Sequence, residues 1–275
     1  MYQPKYFFYN SVNSTIDTAF ELLKENNSVE KNNCVVVTAE FQTKGRGRNN
    51  KTWHGNKGQN LYYTFGVNHS VNKIPLYLFQ MIGGLAVFNV LNEISKLNNA
   101  DKKFIFGSLN KKLHLNKNAK KPIFRLKYPN DIYGFDNGLF KKVSGIISET
   151  NFINSENCSS IIGIGINVNQ VDFPNEISQN STSLKLLNVE ISFDALVEKL
   201  TSEITKMLEK STDEVFDNWK SLINLDNKKI FLVSNSDTVD YYLKNFLEDG
   251  RLLVISNFGA EKIIDNGDSI KYDLL

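Results

Sequence analysis

The sequence predicts an α/β domain of roughly 220 residues followed by a small all-β module. Two observations carry that reading. Apolar segments alternate between helical and extended patterning along the first four-fifths of the chain. Near Leu225 the texture changes, and short β-rich runs then follow one another at close spacing. There is no internal repeat and no long low-complexity tract. The expected boundaries are 1–222 and 223–275.

The elements follow in order. "SVNSTIDTAFELLKEN" opens with Ser and Thr cap candidates and carries Ile16, Ala19, Phe20 and Leu23 at helical spacing. "NCVVVTAEF" is β-branched and reads as a buried strand, with "NLYYTFGV" as the next. Residues 75–97 are expected to form a long helix. Its stretch "LYLFQMIGGLAVFNVL" is interrupted by Gln80, Gly83, Gly84 and Asn89. It reads as a buried helix, too short and too polar to span a membrane. "FRLKYPNDIYGFDNGLFKKVSGIISETN" reads as strand, Pro-Asn-Asp turn, a Gly-punctuated connection and strand. "SSIIGIGINVN" is a further strand, and residues 192–220 return to helical pattern. The tail strands are expected in "KIFLVSN", "TVDYYLKNFLEDG", "RLLVISN" and "EKIIDNGDSIKY". Residues 107–122 carry five lysines without a clear period. They read as a solvated surface loop, with a basic lip facing an acidic partner as the alternative.

Composition narrows the function classes. With 41% hydrophobic residues in 275, the chain buries a sizeable core. A net charge of +2 argues against a bulk electrostatic partner such as duplex DNA. The two cysteines, Cys34 and Cys158, form no CxxC pair, which fits reduced thiols and a cytoplasmic setting. The N-terminus lacks the charged region and apolar core of a signal peptide.

The chemistry begins at "EFQTKGRGRNNKTW", where a strand opens into Gly45-Arg46-Gly47-Arg48 and returns at Trp53. Glycines let backbone N–H groups approach an anion closely. Arginine supplies bidentate, permanently charged donors for carboxylate and phosphate. An anion-holding loop therefore stands beside two plainer readings, a surface turn and an RG segment of an RNA binder. Its companions are "LKYPNDIY", with Lys127, Asn130 and Asp131 around a proline turn; "KKVSGIISE", with Lys142 ahead of a glycine; and "GIGINVN", with Asn167 after two glycines that thin a strand. Each has an ordinary structural reading as a turn, a solvated lysine or a packing bend. The GxG lacks the third glycine of a dinucleotide fingerprint, and the chain has no GxxxxGK[ST] phosphate loop.

Taken in order, "NST", "EFQTKGRGRNNKTW", "GQNLYYTF", "LKYPNDIY", "KKVSGIISE" and "IIGIGINVN" resemble the motif series of biotin protein ligases. The resemblance covers roughly residues 8–170. It implies an α+β fold: a mixed β-sheet catalytic domain packed with helices, of the class II synthetase kind, followed by an SH3-like barrel. It implies formation of biotinyl-5′-AMP from biotin and ATP with Mg²⁺, then transfer of biotin to a lysine of a carrier domain such as that of acetyl-CoA carboxylase. The motifs start close to Met1, so the ligase-only kind is expected, without a helix-turn-helix, DNA binding or membrane association. A homodimer is left open.

By the same resemblance, Arg46, Arg48 and Lys142 supply the catalytic positive charge. Ser14, Thr15, Gln42, Gly45, Arg46, Tyr62, Lys142 and Gly145 match the biotin site. Arg48, Trp53, Asn130, Asp131 and Asn167 match the nucleotide and adenylate positions. No metal ligand is expected from the protein, Mg²⁺ travelling with ATP. Two features depart from the family: Asn50-Lys51-Thr52 replaces a segment with another glycine and basic residue, and the 107–122 insertion is extra. Alternatives are a lipoate–protein ligase of the same fold, a regulatory homologue without activity, and a nucleic-acid module with an SH3-like tail; the low net charge disfavours the last.

Overall fold

The first strand, β1 (Lys5–Tyr9), is parallel to β2 (Cys34–Ala39), and α1 (Thr15–Glu25) crosses between them. The computed structural model describes residues 2–25, 34–106, 124–232, 239–265, 267 and 270–274; the lysine-rich 107–122 segment lies outside them. β3 (Asn60–Ser70) turns back antiparallel to β2. After the long helix α2 (Leu78–Phe106) come β4 (Phe124–Lys127), β5 (Asp131–Asp136), β6 (Leu139–Phe152) and β7 (Asn157–Asn167), and within these four each strand is antiparallel to the next. β7 then inserts beside β3, giving one mixed sheet in the order β1-β2-β3-β7-β6-β5-β4.

The two faces of this sheet are covered differently. α1 lies on one face, with Ile16, Ala19 and Leu23 packed on Val35, Val37 and Ile161. α2, with α4 (Phe193–Met207) and α5 (Thr212–Ile223), covers the other, and the short α3 (Asn175–Ser178) precedes α4 in the chain. Gly83 lets α2 approach the sheet: a Cβ there would fall 2.6 Å from Ile162 and 2.7 Å from Ile146. The apolar stretch Leu78–Lys96 has the length and composition to cross a bilayer, contrary to the sequence expectation. Its 72% burial inside the protein accounts for that apolarity, because the helix is covered by the sheet and by two other helices.

Three local readings are refined. The helical region 192–220 is two helices, since Ser192 and Ser211 each cap a new start by accepting from Ala195 N and Glu214 N at 3.3 and 3.2 Å. The Gly-punctuated connection after the Pro-Asn-Asp turn is itself a strand, β5. Asn137 (φ 49) and Gly138 (φ 89) then make the two-residue turn into β6. β1 has no sequence counterpart above, because an edge strand paired on one side only shows no clean alternation: Tyr6 and Phe8 are both exposed.

Beyond α5 lie β8 (Phe231–Leu232), β9 (Tyr241–Phe246), β10 (Leu252–Ser256), β11 (Glu261–Ile264) and β12 (Ile270–Lys271). β9-β10-β11 form an antiparallel meander and β8 pairs with β12. One apolar core runs from the sheet into this tail, joining Leu252, Val254 and Ile264 to Trp219 and Tyr128. Trp219 is fully buried and meets Phe246 edge-to-face at 5.7 Å.

Candidate active site

Strand alternation sets the floor of the site. On β6 the residues Gly145, Ile147 and Glu149 point to the α1 face, and on β7 Gly163 and Gly165 do the same. Gly145 and Gly165 are direct cross-strand partners, so the sheet carries a bare patch there. The Trp53 indole lies on it: a Cβ on Gly165 would come within 2.5 Å of the ring, and one on Gly145 within 2.9 Å. The thinned strand read from "GIGIN" is thus filled by an aromatic side chain of the protein itself. Trp53 Nε1 is buried there with no hydrogen-bond partner.

The patch is the base of a cleft of about 230 Å³. At one end, Ser14 sits at the N-terminus of α1 and accepts from Ile16 N at 3.2 Å. Gln42 Oε1 accepts from the backbone N of Thr15 at 2.7 Å and from its hydroxyl at 3.0 Å, while Thr64 donates to the Thr15 oxygen at 2.8 Å. These neutral groups form a connected polar end wall. Tyr62, paired across the sheet with Gly165, stands beside it, and burial raises the pKa of its phenol despite the Asn60 hydrogen bond.

The opposite end is cationic. Lys142 Nζ lies 2.8 Å from Asp131 Oδ2 and 5.7 Å from the Trp53 ring centre. Its backbone is fixed by Asn180 O, which accepts from Lys142 N at 2.8 Å, and by Thr182 N, which donates to Lys142 O at 3.0 Å. Asn167 ties the same segment to β7 by donating to Thr182 O at 3.0 Å. Asn130 donates to Ile146 O and accepts from Arg48 NH1 at 3.2 Å.

Residues 45–53 form a small hairpin over the cleft. Arg46 and Thr52 make an antiparallel bridge, Gly47 N donates to Lys51 O at 2.7 Å, and Trp53 N to Gly45 O at 3.1 Å. Arg46 does not face the open cleft as a spare charge. Its Nε and NH2 donate to both Glu149 oxygens at 3.0 Å, and NH1 reaches Asp17 at 2.8 Å and Ser14 Oγ at 3.1 Å. The Glu149 hydrogen bonds in particular raise the pKa of Arg46 and hold it charged.

Of the residues picked from sequence, all except Gly45 line this one cleft. Gly45 sits behind the wall, where a Cβ would press on Trp53 O at 3.1 Å and Gln42 at 3.2 Å. Lys51, in the departing Asn-Lys-Thr segment, also lines the cleft. Sequence reasoning missed Glu149, Asp17, Gly267 and the wall residues Phe173 and Ile177. Period-two alternation from Gly145 gave a signal for Glu149; nothing local marks Gly267, which reaches the cleft from the C-terminal module.

The chain matches the model of the biotin/lipoate A/B protein ligase family over residues 8–167, more than half its length. It is 30% identical over 179 residues to the bifunctional ligase/repressor BirA of Bacillus subtilis, a match covering 64% of this chain and 45% of that protein. The BirA of Salmonella typhimurium is 23% identical over 224 residues, covering 80% and 61%. The chain therefore spans about half the length of these curated relatives. Among solved structures, the Aquifex aeolicus biotin protein ligase in complex with biotin and ATP has a TM-score of 0.67 at 25% identity, covering 98% of both chains. The Leishmania major biotin protein ligase in complex with biotinyl-5-AMP shares the fold at a TM-score of 0.54 and 22% identity. Motif order, cleft and matched span agree, and the chain belongs to the biotin/lipoate A/B protein ligase family.

Proposed function

We propose that this protein is an ATP-dependent biotin protein ligase, which makes biotinyl-5′-AMP and passes biotin to a lysine of a carrier domain. The observation that carries the reading is the polarity of this cleft: a neutral hydrogen-bonding wall at Ser14, Thr15 and Gln42, a glycine floor under Trp53, and cations at Lys142 and Arg48. A ligand with a ureido ring at one end and one carboxylate at the other matches that gradient. The likeness to the Aquifex ligase that holds biotin and ATP supports it.

The reaction brings two anions together, so neutralisation is the main task. A biotin carboxylate oxygen attacks the α-phosphorus, and pyrophosphate leaves. Lys142 faces the carboxylate, and Asp131 holds the ammonium in place. Arg48 faces the phosphate, fixed through Asn130. Trp53 shields the mixed anhydride, and a ligand acceptor beside its unpaired Nε1 would remove a cost of about 1–3 kcal/mol. The carrier lysine, as a free amine, then attacks the acyl carbon; AMP leaves and the amide nitrogen loses its proton. Among the described residues no group of three or more His, Cys, Asp or Glu side chains converges. Asp131, the carboxylate in the cleft, is ion-paired to Lys142, so Mg²⁺ would arrive on the nucleotide phosphates. On this reading the protein works in the cytoplasm.

The test is incubation with ATP, biotin and a biotin-carrier domain, read by the mass of the carrier. A gain of one biotin on one lysine, with pyrophosphate released, is expected. Lipoate in place of biotin should give no transfer, because the polar wall would be left unpaired. Equal transfer of lipoate, or none of biotin, overturns the reading.

A further inference from the structure

One guanidinium joins three separate elements at the Ser14 end of the cleft. Arg46 belongs to the hairpin, Glu149 to β6, and Asp17 and Ser14 to α1 and its start. Both carboxylates lie outside the cleft lining, yet both hold a residue that lines it. Glu149 is there because it sits two strand steps beyond Ile147 and four residues beyond Gly145, on the same sheet face. Asp17 is in the first turn of α1, on the helix whose start carries Ser14.

Arg46 is held between two carboxylates. What the arrangement supplies is position. The hairpin is internally rigid, bridged at Arg46–Thr52 and bonded at Gly47–Lys51 and Gly45–Trp53. Fixing Arg46 at its base therefore sets where its two working groups fall: Arg48 against Asn130, and the Trp53 indole on Gly165. We infer that Glu149 and Asp17 are positioning residues, which clamp Arg46 and thereby hold the 45–53 hairpin over the intermediate. Glu149, bidentate, carries the larger share; Asp17, half exposed with one contact, carries the smaller. The retention part of this inference rests on the adenylating activity proposed above.

The experiment uses the full chain with Glu149→Gln, Asp17→Asn, Arg46→Gln and the Glu149→Gln/Arg46→Gln double variant. Two readouts are taken. Trypsin cutting after Arg48 and Lys51 is timed without ligand, and release of biotinyl-AMP is timed after gel filtration of enzyme charged with biotin and ATP. Glu149→Gln should speed hairpin cutting and adenylate release about tenfold, the loss expected for a charge-assisted bidentate pair. Asp17→Asn should give about twofold. Added to Arg46→Gln, Glu149→Gln should do nothing further, an outcome that general weakening of β6 would not produce. The inference is overturned if folded Glu149→Gln keeps wild-type cutting, or cuts faster but retains adenylate as long, or acts equally with Arg46 removed. If Glu149→Gln does not fold by circular dichroism, Asp17→Asn decides alone, and wild-type behaviour there overturns it. A wild-type protein that makes no adenylate fails the proposed reaction instead, and the proteolysis arm still decides the clamp.

Discussion

Two segments deliver charged groups to the cleft, and they are held by different physics. The hairpin 45–53 is anchored through side-chain charge: Arg46 on Glu149 and Asp17, Arg48 on Asn130. The turn Tyr128–Asp131 is anchored through the core. Tyr128 and Asn130 are each 3% exposed. Trp219 Nε1 donates to Pro129 O at 3.2 Å, the Tyr128 hydroxyl donates to Ile264 O at 3.2 Å, and Tyr128 N donates to the Tyr272 oxygen at 2.6 Å. Gly267 closes over the turn, with no room for a Cβ, which would fall 2.2 Å from Pro129 Cδ. Half-exposed ion pairs are individually weak and screened by salt, whereas a buried aromatic prop is worth several kcal/mol. The contrast teaches that the hairpin is tied to its neighbours by polar contacts, while the turn is built into the packing of helix, sheet and C-terminal module.

The strongest break of this contrast is Trp219→Ala. It removes a fully buried aromatic and the donor to Pro129 O, and should lower stability by about 3–5 kcal/mol, measured by chemical denaturation. Removing the charged anchor Arg46 or Arg48 from the hairpin should not approach that figure. Next comes Lys142→Ala, which should slow pyrophosphate release about 10²- to 10³-fold, or about 3–4 kcal/mol of transition-state stabilisation. Its stability should stay within about 0.5 kcal/mol of wild type, since the lysine is partly solvent-exposed. A wild-type rate would return Lys142 to an ordinary strand lysine.

Arg48→Gly cuts the bond that bridges the two segments. Adenylate should still form but escape about tenfold faster, a figure set by one charge-assisted hydrogen bond. Biotin appearing on lysines of added albumin reports the leak. Tyr272→Phe sharpens the comparison from the other side. It removes only the oxygen that accepts from Tyr128 N, a loss of about 1 kcal/mol. The KM for ATP should rise severalfold with biotin affinity unchanged, because the end wall at Ser14 and Gln42 is untouched; equal loss of both would make the tail a general scaffold.

The smallest effect lies away from both segments. His69 is buried near the far end of β3, with Nε2 2.9 Å from Ser160 Oγ and 3.3 Å from Cys158 Sγ. Burial lowers its pKa below the ordinary 6.5, against a weaker opposing hydrogen bond with Ser70 O. A depressed folded-state value means the unfolded chain binds the proton first. The stability from His69 is complete above about pH 6.5 and is lost as pH falls through the folded value. His69→Gln should flatten the melting temperature between pH 7 and pH 5, read by thermal scans, with no change in adenylate retention.

What the sequence alone determined was local. Periodicity placed α1, β2, β3 and β7, and turn residues placed the Pro-Asn-Asp bend, because helical and strand spacing and turn chemistry act within a few residues. Motif order supplied the cleft residues, since glycines and cations needed near an anion must be written into the chain at their own positions. β5 escaped because its tight Asn-Gly turn resembles a loop when read linearly, and β1 because an edge strand need not alternate. Tertiary structure alone decided which charges pair with which. Arg46, read as substrate-facing, is engaged by carboxylates 103 and 29 residues away in sequence, a pairing fixed only when β6 and α1 meet the hairpin. It also decided that the C-terminal module props the turn beside the site. Contacts from Ile264, Gly267 and Tyr272 reach Tyr128–Pro129 across more than 130 residues, and no local spacing rule spans such a distance.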